Sequence, residues 1–236
     1  MTINSNRAKK KKFVDQVFNK VFNKYDLMND IMSLGSHRLW KKKMISWLSP
    51  YKNSLLLDMA SGTGDVAKLF LEYTNNKGMV YAVDPNLKML EIAKKKLIKY
   101  KNIKWYSEYA EKLSFRDNYF DYYSISFGLR NTNNIDQALK EAHRVLKPGG
   151  RFICLEFSKI KNYNFKKIYE LYSKSIPKIG NVIAGDDQPY EYLVKSIENF
   201  YSQRELVSLM KKNNFYKSEY RNLIGGIVAI HSGWKI

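Results

Sequence analysis

The residues best suited to chemistry lie near residue 60, where an apolar run ends in an acid and a turn of small residues follows. The run Leu55-Leu56-Leu57 precedes Asp58, and the segment Gly62-Thr63-Gly64-Asp65 then opens a helical pattern. A continuous leucine run bounded by glycine is typical of a strand that is buried on both faces. Glycines permit a tight turn and let a ligand approach the backbone closely. The segment therefore predicts a ligand-binding turn between a strand and a helix.

Two kinds of ligand suit such a turn. The glycines and Ala67 match the dinucleotide fingerprint, and Asp84 ends the next predicted strand, where an acid would bind a ribose. Asp58 and Asp65 argue against a pyrophosphate, because their carboxylates would repel it in a partly dry site. S-adenosylmethionine has a ribose, an adenine and a positive charge but no phosphate. We therefore expect S-adenosylmethionine, with Asp58 near its methionine end and Asp84 at its ribose; an NAD-dependent dehydrogenase is the alternative.

Other candidate residues follow the later strands. Ala110 lies just past the third predicted strand, where an adenine would rest. Arg130 and Asn131 follow the carboxyl end of the fourth strand. Ligands of open α/β sheets bind outside the carboxyl ends of the strands. We therefore expect Arg130 and Asn131 to face the pocket; the alternative is a loop salt bridge and a turn.

The elements that must position these residues alternate along the chain from residue 54. Helices are predicted near 37–48, 65–74, 86–99 and 134–146, the last ended by Lys147-Pro148-Gly149-Gly150. Gly225-Gly226 would turn between the last two strands. Alternation of this kind indicates right-handed βαβ units and a mainly parallel sheet. The predicted strands lie near 54–59, 79–83, 103–106, 120–126, 151–157, 217–222 and 226–231.

The flanking segments have a different character. Apolar residues recur at helical spacing between Phe13 and Phe22, which predicts an amphipathic helix packed on the main domain or lying on a membrane. Residues 160–213 are helical in pattern and rich in aromatic residues, as a cap insertion would be. We see no internal repeat and no linker. We therefore expect one domain over 1–236, with an N-terminal helical segment at 1–50 and a helical cap at 160–213.

The composition narrows the class of protein. Lysine and arginine number 41 against 22 acids, a net charge of +19, which would attract nucleic acid or anionic lipid, or form a solvated lysine surface. The single cysteine, Cys154, lies in a predicted strand and fits a reducing cytosol. The three histidines lack metal-ligand spacing, so we expect no metal. Without a secretory signal or a run of the ~20 apolar residues that a spanning helix needs, we expect a cytoplasmic protein, peripheral at the inner membrane face if membrane-bound.

The chain resembles the ubiquinone/menaquinone biosynthesis C-methyltransferases, a family of class I S-adenosylmethionine-dependent enzymes. The stretches YDLMND, HRLWK, FGLRN and GGIVAIHSG carry the resemblance more specifically than the glycine turn does. The family implies a Rossmann-like class I methyltransferase fold, a mainly parallel seven-stranded sheet with helices on both faces. The matching stretches are 25–30, 32–40, 57–65, 127–131, 144–150, 156–158, 190–200 and 226–233.

The resemblance also implies site residues. Tyr109 stands where the family usually has Asn or Asp, which leaves a backbone contact to adenine in place of a side-chain hydrogen bond. Tyr25, Arg130 and Asn131 match residues proposed to act at the substrate ring of related enzymes. The expected cofactor contacts are Thr63, Asp84, Tyr109, Ala110 and Ser126, together with Asp58, Gly62 and Gly64 of the turn.

The reaction that the resemblance implies is methyl transfer to a ring carbon of a prenylated quinol. Demethylmenaquinol is the expected acceptor, because the N-terminal extension is short, as in relatives confined to that pathway. The methoxy-benzoquinol of ubiquinone synthesis is the alternative. Because a polyprenyl substrate lives in the bilayer, an anionic membrane surface is the expected partner of the basic face. An RNA methyltransferase or RNA-binding protein is the rival of another class, although no nucleic acid is expected.

Overall fold

The computed structural model describes residues 30, 33, 35–160 and 188–236. Its helices are α1 (His37–Leu48), α2 (Asp65–Tyr73), α3 (Leu87–Lys96), α4 (Ile135–Val145), α5 (Gln188–Glu198) and α6 (Gln203–Lys212). Its strands are β1 (Leu55–Met59), β2 (Met79–Val83), β3 (Ile103–Tyr106), β4 (Phe120–Ser126), β5 (Leu146–Phe157), β6 (Tyr216–Leu223) and β7 (Val228–Trp234). Short 3₁₀ turns cover Leu129–Asn131 and Ile224–Gly226.

The strands form one seven-stranded sheet in the order β3-β2-β1-β4-β5-β7-β6. Neighbours from β3 to β5 pair in parallel, and β7 runs antiparallel to both β5 and β6. The predicted mainly parallel, seven-stranded sheet is therefore confirmed. The chain moves outward from β1 to β3 and returns on the other side of β1 as β4. The crevice between β1 and β4 is thus the topological switch point, where such sheets bind ligands.

Both faces of the sheet are covered by helices, as the continuous apolar strands predict. Successive residues of β1 illustrate this, since Leu56 packs with α1 and α2 while Leu57 packs with α4. All seven residues of β4 are buried. The helical residues of the first core include Trp40, Met44, Phe70, Leu71 and Leu193; those of the second include Leu139, Ala142, Leu206 and Met210.

The predicted elements begin and end within three residues of the observed ones, except at the start of the fifth strand. Residues 147–150 were expected to separate a helix from the fifth strand, but β5 begins directly after α4, at Leu146. The pairing of β4 with β5 shifts register between Phe120 and Tyr122, which accommodates the Lys-Pro-Gly-Gly segment inside the strand. Gly149 has a φ of 79°, and its N–H donates to the carbonyl of Lys235 at 2.8 Å. The glycines thus make an irregular strand start that ties the C-terminus to the sheet.

The loops that leave β1 and β4 approach each other closely. Ala60 and Phe127 both have positive φ values, 54° and 57°, which are uncommon for residues with a side chain. Gly128 faces the first of these turns, and a Cβ at this position would lie 2.3 Å from the Cβ of Ala60. Strained backbone of this kind concentrates at functional sites. The sheet therefore holds two strained turns against each other at the switch point.

This close approach predicts the effect of a single methyl group. Gly128→Ala is expected to destabilise the protein by about 2 kcal/mol, since neither turn can shift without disturbing a buried strand. Thermal denaturation would measure the change. The double variant Ala60→Gly/Gly128→Ala removes the clashing carbon and relaxes the positive φ, so it should regain the lost stability. A single variant as stable as the wild type would contradict the predicted clash.

Some predicted segments lie outside the described residues. These are the amphipathic helix between Phe13 and Phe22 and the part of the cap between 161 and 187. Within the segment 160–213, the described residues form α5 and α6, and α6 packs in the second core through Leu206 and Met210, so the helical cap stays a prediction. None of the helices in the described ranges is long and apolar enough to cross a membrane.

Candidate active site

A pocket opens at the carboxyl edge of the sheet beside the switch point. It brings together five of the predicted site residues: Asp84, Tyr109, Ala110, Ser126 and Asn131. The rest of its lining is Met59, Ala60, Pro85, Asn86, Met89, Glu111, Ile125, Phe127, Gly128, Thr132 and Asn133. The other predicted residues that are described, Asp58, Gly62, Thr63, Gly64 and Arg130, do not line it. Tyr25 lies outside the described residues.

Asp84 follows β2 and links the glycine turn to α3. Its carboxylate accepts 2.9 Å hydrogen bonds from the N–H groups of Gly62 and Asn86. Asn86 in turn caps α3, because its side-chain oxygen accepts from the N–H groups of Lys88 and Met89. Burial raises the pKa of Asp84 to about 6, although the two backbone hydrogen bonds oppose the shift. A buried carboxylate at the pocket wall has lone pairs left to accept hydroxyl donors from a ligand.

Asp58 lies inside β1 and is almost completely buried. Its Oδ1 accepts a 2.7 Å hydrogen bond from the hydroxyl of Ser124, on the neighbouring strand β4. Its Oδ2 has no hydrogen-bond partner among the described residues. Burial raises the pKa of Asp58 to about 7, against the lowering effects of Ser124 and Lys41. An unpartnered buried carboxylate oxygen suits a cationic ligand group, which would bring the pKa down again.

The raised pKa makes Asp58 a source of pH-dependent instability. An acid whose pKa is raised in the folded state stabilises the fold below its unfolded pKa, and this contribution is lost as the pH rises through about 7. Asp58→Asn should therefore gain stability relative to the wild type between pH 4 and pH 8, on the order of 4 kcal/mol at most. Melting temperatures of both proteins at several pH values would measure this. A difference that does not change with pH would contradict it.

The surroundings of Asp65 correct one step of the sequence argument. Its carboxylate receives the ammonium groups of Lys41 and Lys96, each at 2.9 Å. Burial alone would raise the pKa of Asp65, but the two lysines more than offset it, and the pKa lies below its ordinary value. Lys96 also donates to the hydroxyl of Thr63 at 3.4 Å. The charge of Asp65 is thus compensated within the protein, so of the two acids that argued against a pyrophosphate only Asp58 still does.

The opposite wall of the pocket is tied together by Glu111. Its carboxylate accepts from the N–H groups of Asn133 and Asn134, which joins the turn at Tyr109–Glu111 to the segment after β4. Ala110 is buried. The hydroxyl of Ser126 and the side-chain oxygen of Asn133 are buried without a hydrogen-bond partner among the described residues. Polar atoms of this kind, at a pocket wall, are available to a polar ligand.

Arg130 does not face the pocket, contrary to the prediction. Its guanidinium lies against Glu156 in β5, and Nη1 also donates to the carbonyl of Phe127 at 2.8 Å. Both members of this ion pair are buried. Burial raises the pKa of Glu156, while the charge of Arg130 counteracts the rise. Sequence reasoning named the salt bridge as the alternative but missed Glu156, whose signal was an acid within the apolar run RFICLEF.

Asn131 does line the pocket, as predicted. Its Nδ2 lies 3.5 Å from the carbonyl oxygen of Phe127, and its Oδ1 accepts a 3.0 Å hydrogen bond from the hydroxyl of Tyr192 in α5. The amide is therefore held between the strained turn and α5. Tyr192 was not singled out by sequence reasoning, because nothing local shows that residue 192 lies beside residue 131.

Two of the histidines and the cysteine do not line the pocket, and their contacts lie within the fold. His37 bonds to Asp30 at 3.0 Å, and His231 is buried with its Nε2 at 3.1 Å from the carbonyl of Gln203. Cys154 is buried in β5, as predicted. Within the described ranges, no group of three or more His, Cys, Asp or Glu side chains could hold a metal ion.

The fold and the pocket at its switch point define the class of protein. The protein has the Rossmann-like fold of S-adenosylmethionine-dependent methyltransferases. Similar solved structures include a SAM-dependent methyltransferase from Thermotoga maritima, with a TM-score of 0.66 and 20% identity over 94% of this chain and 100% of that one. Another, from Aquifex aeolicus, has a TM-score of 0.64 and 18% identity over 89% of this chain and 98% of that one.

The chain belongs to the ubiE/COQ5 methyltransferase family, whose model matches residues 5–235. A relative from Rickettsia akari, named ubiquinone/menaquinone biosynthesis C-methyltransferase UbiE, is 52% identical over 97% of this chain and 95% of its own length. A relative of the same name from Brucella canis is 46% identical over 96% of this chain and 87% of its own length. The family that the sequence motifs resemble is thus confirmed.

Proposed function

We propose that the protein transfers the methyl group of S-adenosylmethionine to a ring carbon of a prenylated quinol, with demethylmenaquinol as the acceptor. The methoxy-benzoquinol of ubiquinone synthesis is the rival acceptor, since the relatives' names join both pathways. The observation that carries the proposal is the pocket at the switch point, which places Asp84, Ser126 and Asn131 around one space in a chain of this family.

The residues of the pocket suit S-adenosylmethionine. Asp84 offers a buried carboxylate for the two ribose hydroxyls, and Ala110 offers a small apolar surface for an adenine. Asp58 Oδ2 and Ser126 Oγ are buried acceptors without partners among the described residues. Gly62 and Gly64 have φ values of 54° and 85°, which glycine adopts without strain, and we assign both to the cofactor-binding turn between Asp58 and α2. We assign Thr63 and Tyr109 to the same cofactor site, Thr63 beside Lys96 and Tyr109 through its backbone.

When bound, S-adenosylmethionine supplies an electrophilic methyl group on a positively charged sulfur. The work of the chain is to orient the acceptor, because a ring carbon must lie in line with that methyl group at near-attack distance. Asn131 can donate to a quinol oxygen and stabilise the negative charge that develops when the quinol hydroxyl loses its proton. Met59, Ile125 and Phe127 form an apolar wall that excludes water, which favours a reaction that discharges the sulfonium.

Arg130 acts in this scheme through the loop. Its ion pair with Glu156 and its hydrogen bond to the carbonyl of Phe127 hold the strained turn from which Asn131 projects. Arginine is too basic to remove a proton at neutral pH. We therefore assign Arg130 to positioning of Asn131, with a water relay for the quinol proton. Tyr25 keeps the role at the substrate ring that the family resemblance implies.

One assay tests the proposed reaction. The purified protein is incubated with methyl-labelled S-adenosylmethionine and, in separate reactions, detergent-solubilised demethylmenaquinol, the methoxy-benzoquinol and total RNA. We expect label in the naphthoquinol, attached to the ring carbon. Label in the benzoquinol alone would move the protein to the ubiquinone pathway. Label in RNA with neither quinol methylated would overturn the proposal in favour of the rival class.

We further propose that the protein binds anionic membranes peripherally. Its net charge of +19 supports this, and Leu87, beside the pocket residue Asn86, is 63% exposed. Basic and apolar surface together are what an anionic bilayer attracts. The protein should float with anionic vesicles at low salt, remain behind with neutral vesicles, and be released as salt screens the charges. Failure to float with anionic vesicles at low salt would overturn this proposal.

A further inference from the structure

Helix α5 contacts the turn after β4 through two polar side chains. Tyr192 and Ser196 lie four residues apart and therefore share one face of the helix. The hydroxyl of Tyr192 donates to Asn131 Oδ1 at 3.0 Å, and Ser196 Oγ accepts from Arg130 Nε at 3.4 Å. Two consecutive residues after β4, Arg130 and Asn131, are thus each hydrogen-bonded to α5.

We propose that Tyr192 is a positioning residue for methyl transfer, which fixes the orientation of the Asn131 side-chain amide in the pocket. The inference rests on the proposed function and extends it to a residue of α5. Tyr192 does not line the pocket itself, so its effect on the reaction passes through Asn131.

The neighbours of Asn131 determine which way its amide points. The carbonyl oxygen of Phe127 lies 3.5 Å from Nδ2, and a carbonyl can only accept a hydrogen bond. A flipped amide would place two acceptors against each other there. The Oδ1 atom must therefore face Tyr192, whose hydroxyl donates to it. One hydrogen of Nδ2 faces Phe127, and the second is the donor that remains for a ligand.

Loss of the Tyr192 hydroxyl would remove the hydrogen-bond donor that Oδ1 has among the described residues. The amide would then sample both orientations, and in one of them a carbonyl oxygen would face the charge that develops on the quinol oxygen. Such a change affects the transition state more than it affects cofactor binding. We expect Tyr192→Phe to lower kcat about tenfold, with the KM for S-adenosylmethionine unchanged.

A double-mutant cycle in the full-length protein tests the inference. Kinetics with demethylmenaquinol are measured for the wild type, Tyr192→Phe, Asn131→Ala and the double variant. Because Tyr192 acts through Asn131, its removal should have no further effect once Asn131 is alanine. Tyr201→Phe is the matched control, since Tyr201 follows α5 and is 40% exposed. Equal losses of kcat in both backgrounds would overturn the inference, as would unchanged kcat in Tyr192→Phe.

A second measurement does not depend on turnover. In ¹⁵N-labelled protein the Asn131 side-chain amide resonance is identified by its disappearance in Asn131→Ala. We expect this resonance to shift in Tyr192→Phe and to remain in place in Tyr201→Phe, with both melting temperatures close to that of the wild type. A resonance unmoved by Tyr192→Phe would overturn the inference even if Asn131→Ala were inactive. A wild-type protein that methylates no quinol would instead refute the proposed function while leaving the resonance test intact.

Discussion

The Asp84→Asn variant should bind S-adenosylhomocysteine about 100-fold more weakly than the wild-type protein does. The carboxylate of Asp84 is buried, and hydrogen bonds to a charged group contribute about 1.5–3 kcal/mol each. The carboxylate now accepts hydrogen bonds from the backbone N–H groups of Gly62 and Asn86. In the variant, the NH₂ group of the asparagine would face one of these N–H groups, so two donors would oppose each other. Isothermal titration calorimetry on the purified variants measures the affinity directly.

The pH dependence of ligand affinity separates the contribution of the negative charge of Asp84 from that of its side-chain shape. Its pKa lies near 6 without ligand because of burial, and hydroxyl donors from a ribose favour the charged form. Wild-type affinity should therefore fall as the pH drops below about 6, whereas the affinity of Asp84→Asn should lack this step. Asp117→Asn is the control, since that carboxylate is mostly exposed and pairs with Arg144. Unchanged affinity in Asp84→Asn would remove Asp84 from the proposed ribose site.

Removal of the Arg130 side chain should produce the largest loss of stability. Arg130→Met leaves Glu156 buried without its partner, and such a change typically destabilises a protein by about 3–5 kcal/mol. For a chain of this size the melting temperature would fall by roughly 10 °C. Methyl transfer should be lost as well, because the carbonyl of Phe127 loses its hydrogen bond from Arg130 and the turn that positions Asn131 is no longer held. Thermal denaturation and the quinol assay measure the two effects.

Two further variants test whether the broken Arg130–Glu156 ion pair causes the loss of stability in Arg130→Met. In Arg130→Met/Glu156→Leu no unpaired charge remains, so much of the stability should return although activity does not. Lys195→Met removes a lysine that pairs with Glu191 on the exposed face of α5, and should change stability by less than about 1 kcal/mol. The pKa of Glu156, already raised by burial, would rise further in Arg130→Met. The deficit of that variant should therefore shrink as the pH is lowered, and a deficit that grows would contradict the explanation.

Much of the fold was predictable because it depends on local pattern. The leucine run of β1 is typical of a strand inside a parallel sheet, and β4, although it contains an acid and two serines, is buried along its whole length. The pocket residues were predictable for a related reason. Asp84, Ala110 and Asn131 each follow a strand, and the carboxyl ends of parallel strands meet at one edge.

The contacts that modify the site were not predictable, since they join residues that are distant in sequence. Asp65 is paired with lysines 24 and 31 residues away, from α1 and α3. Arg130 reaches Glu156 only because β4 and β5 lie side by side in one particular register. Sequence pattern identifies which residues stand at the edge of the sheet. It does not determine which of them are neutralised by a partner and which are left for a ligand.

The packing of Trp40 provides an optical signal. Trp40 belongs to α1, and its ring lies in the first hydrophobic core. The ring centroids of Phe127 and Phe157 are 6.2 and 6.3 Å from that of Trp40. Of the four tryptophans, it alone is buried. Its fluorescence should thus be emitted at shorter wavelength than that of the others. Because Phe127 separates this indole from the pocket, a ligand that moves Phe127 will change the emission, and occupancy can be followed without a label.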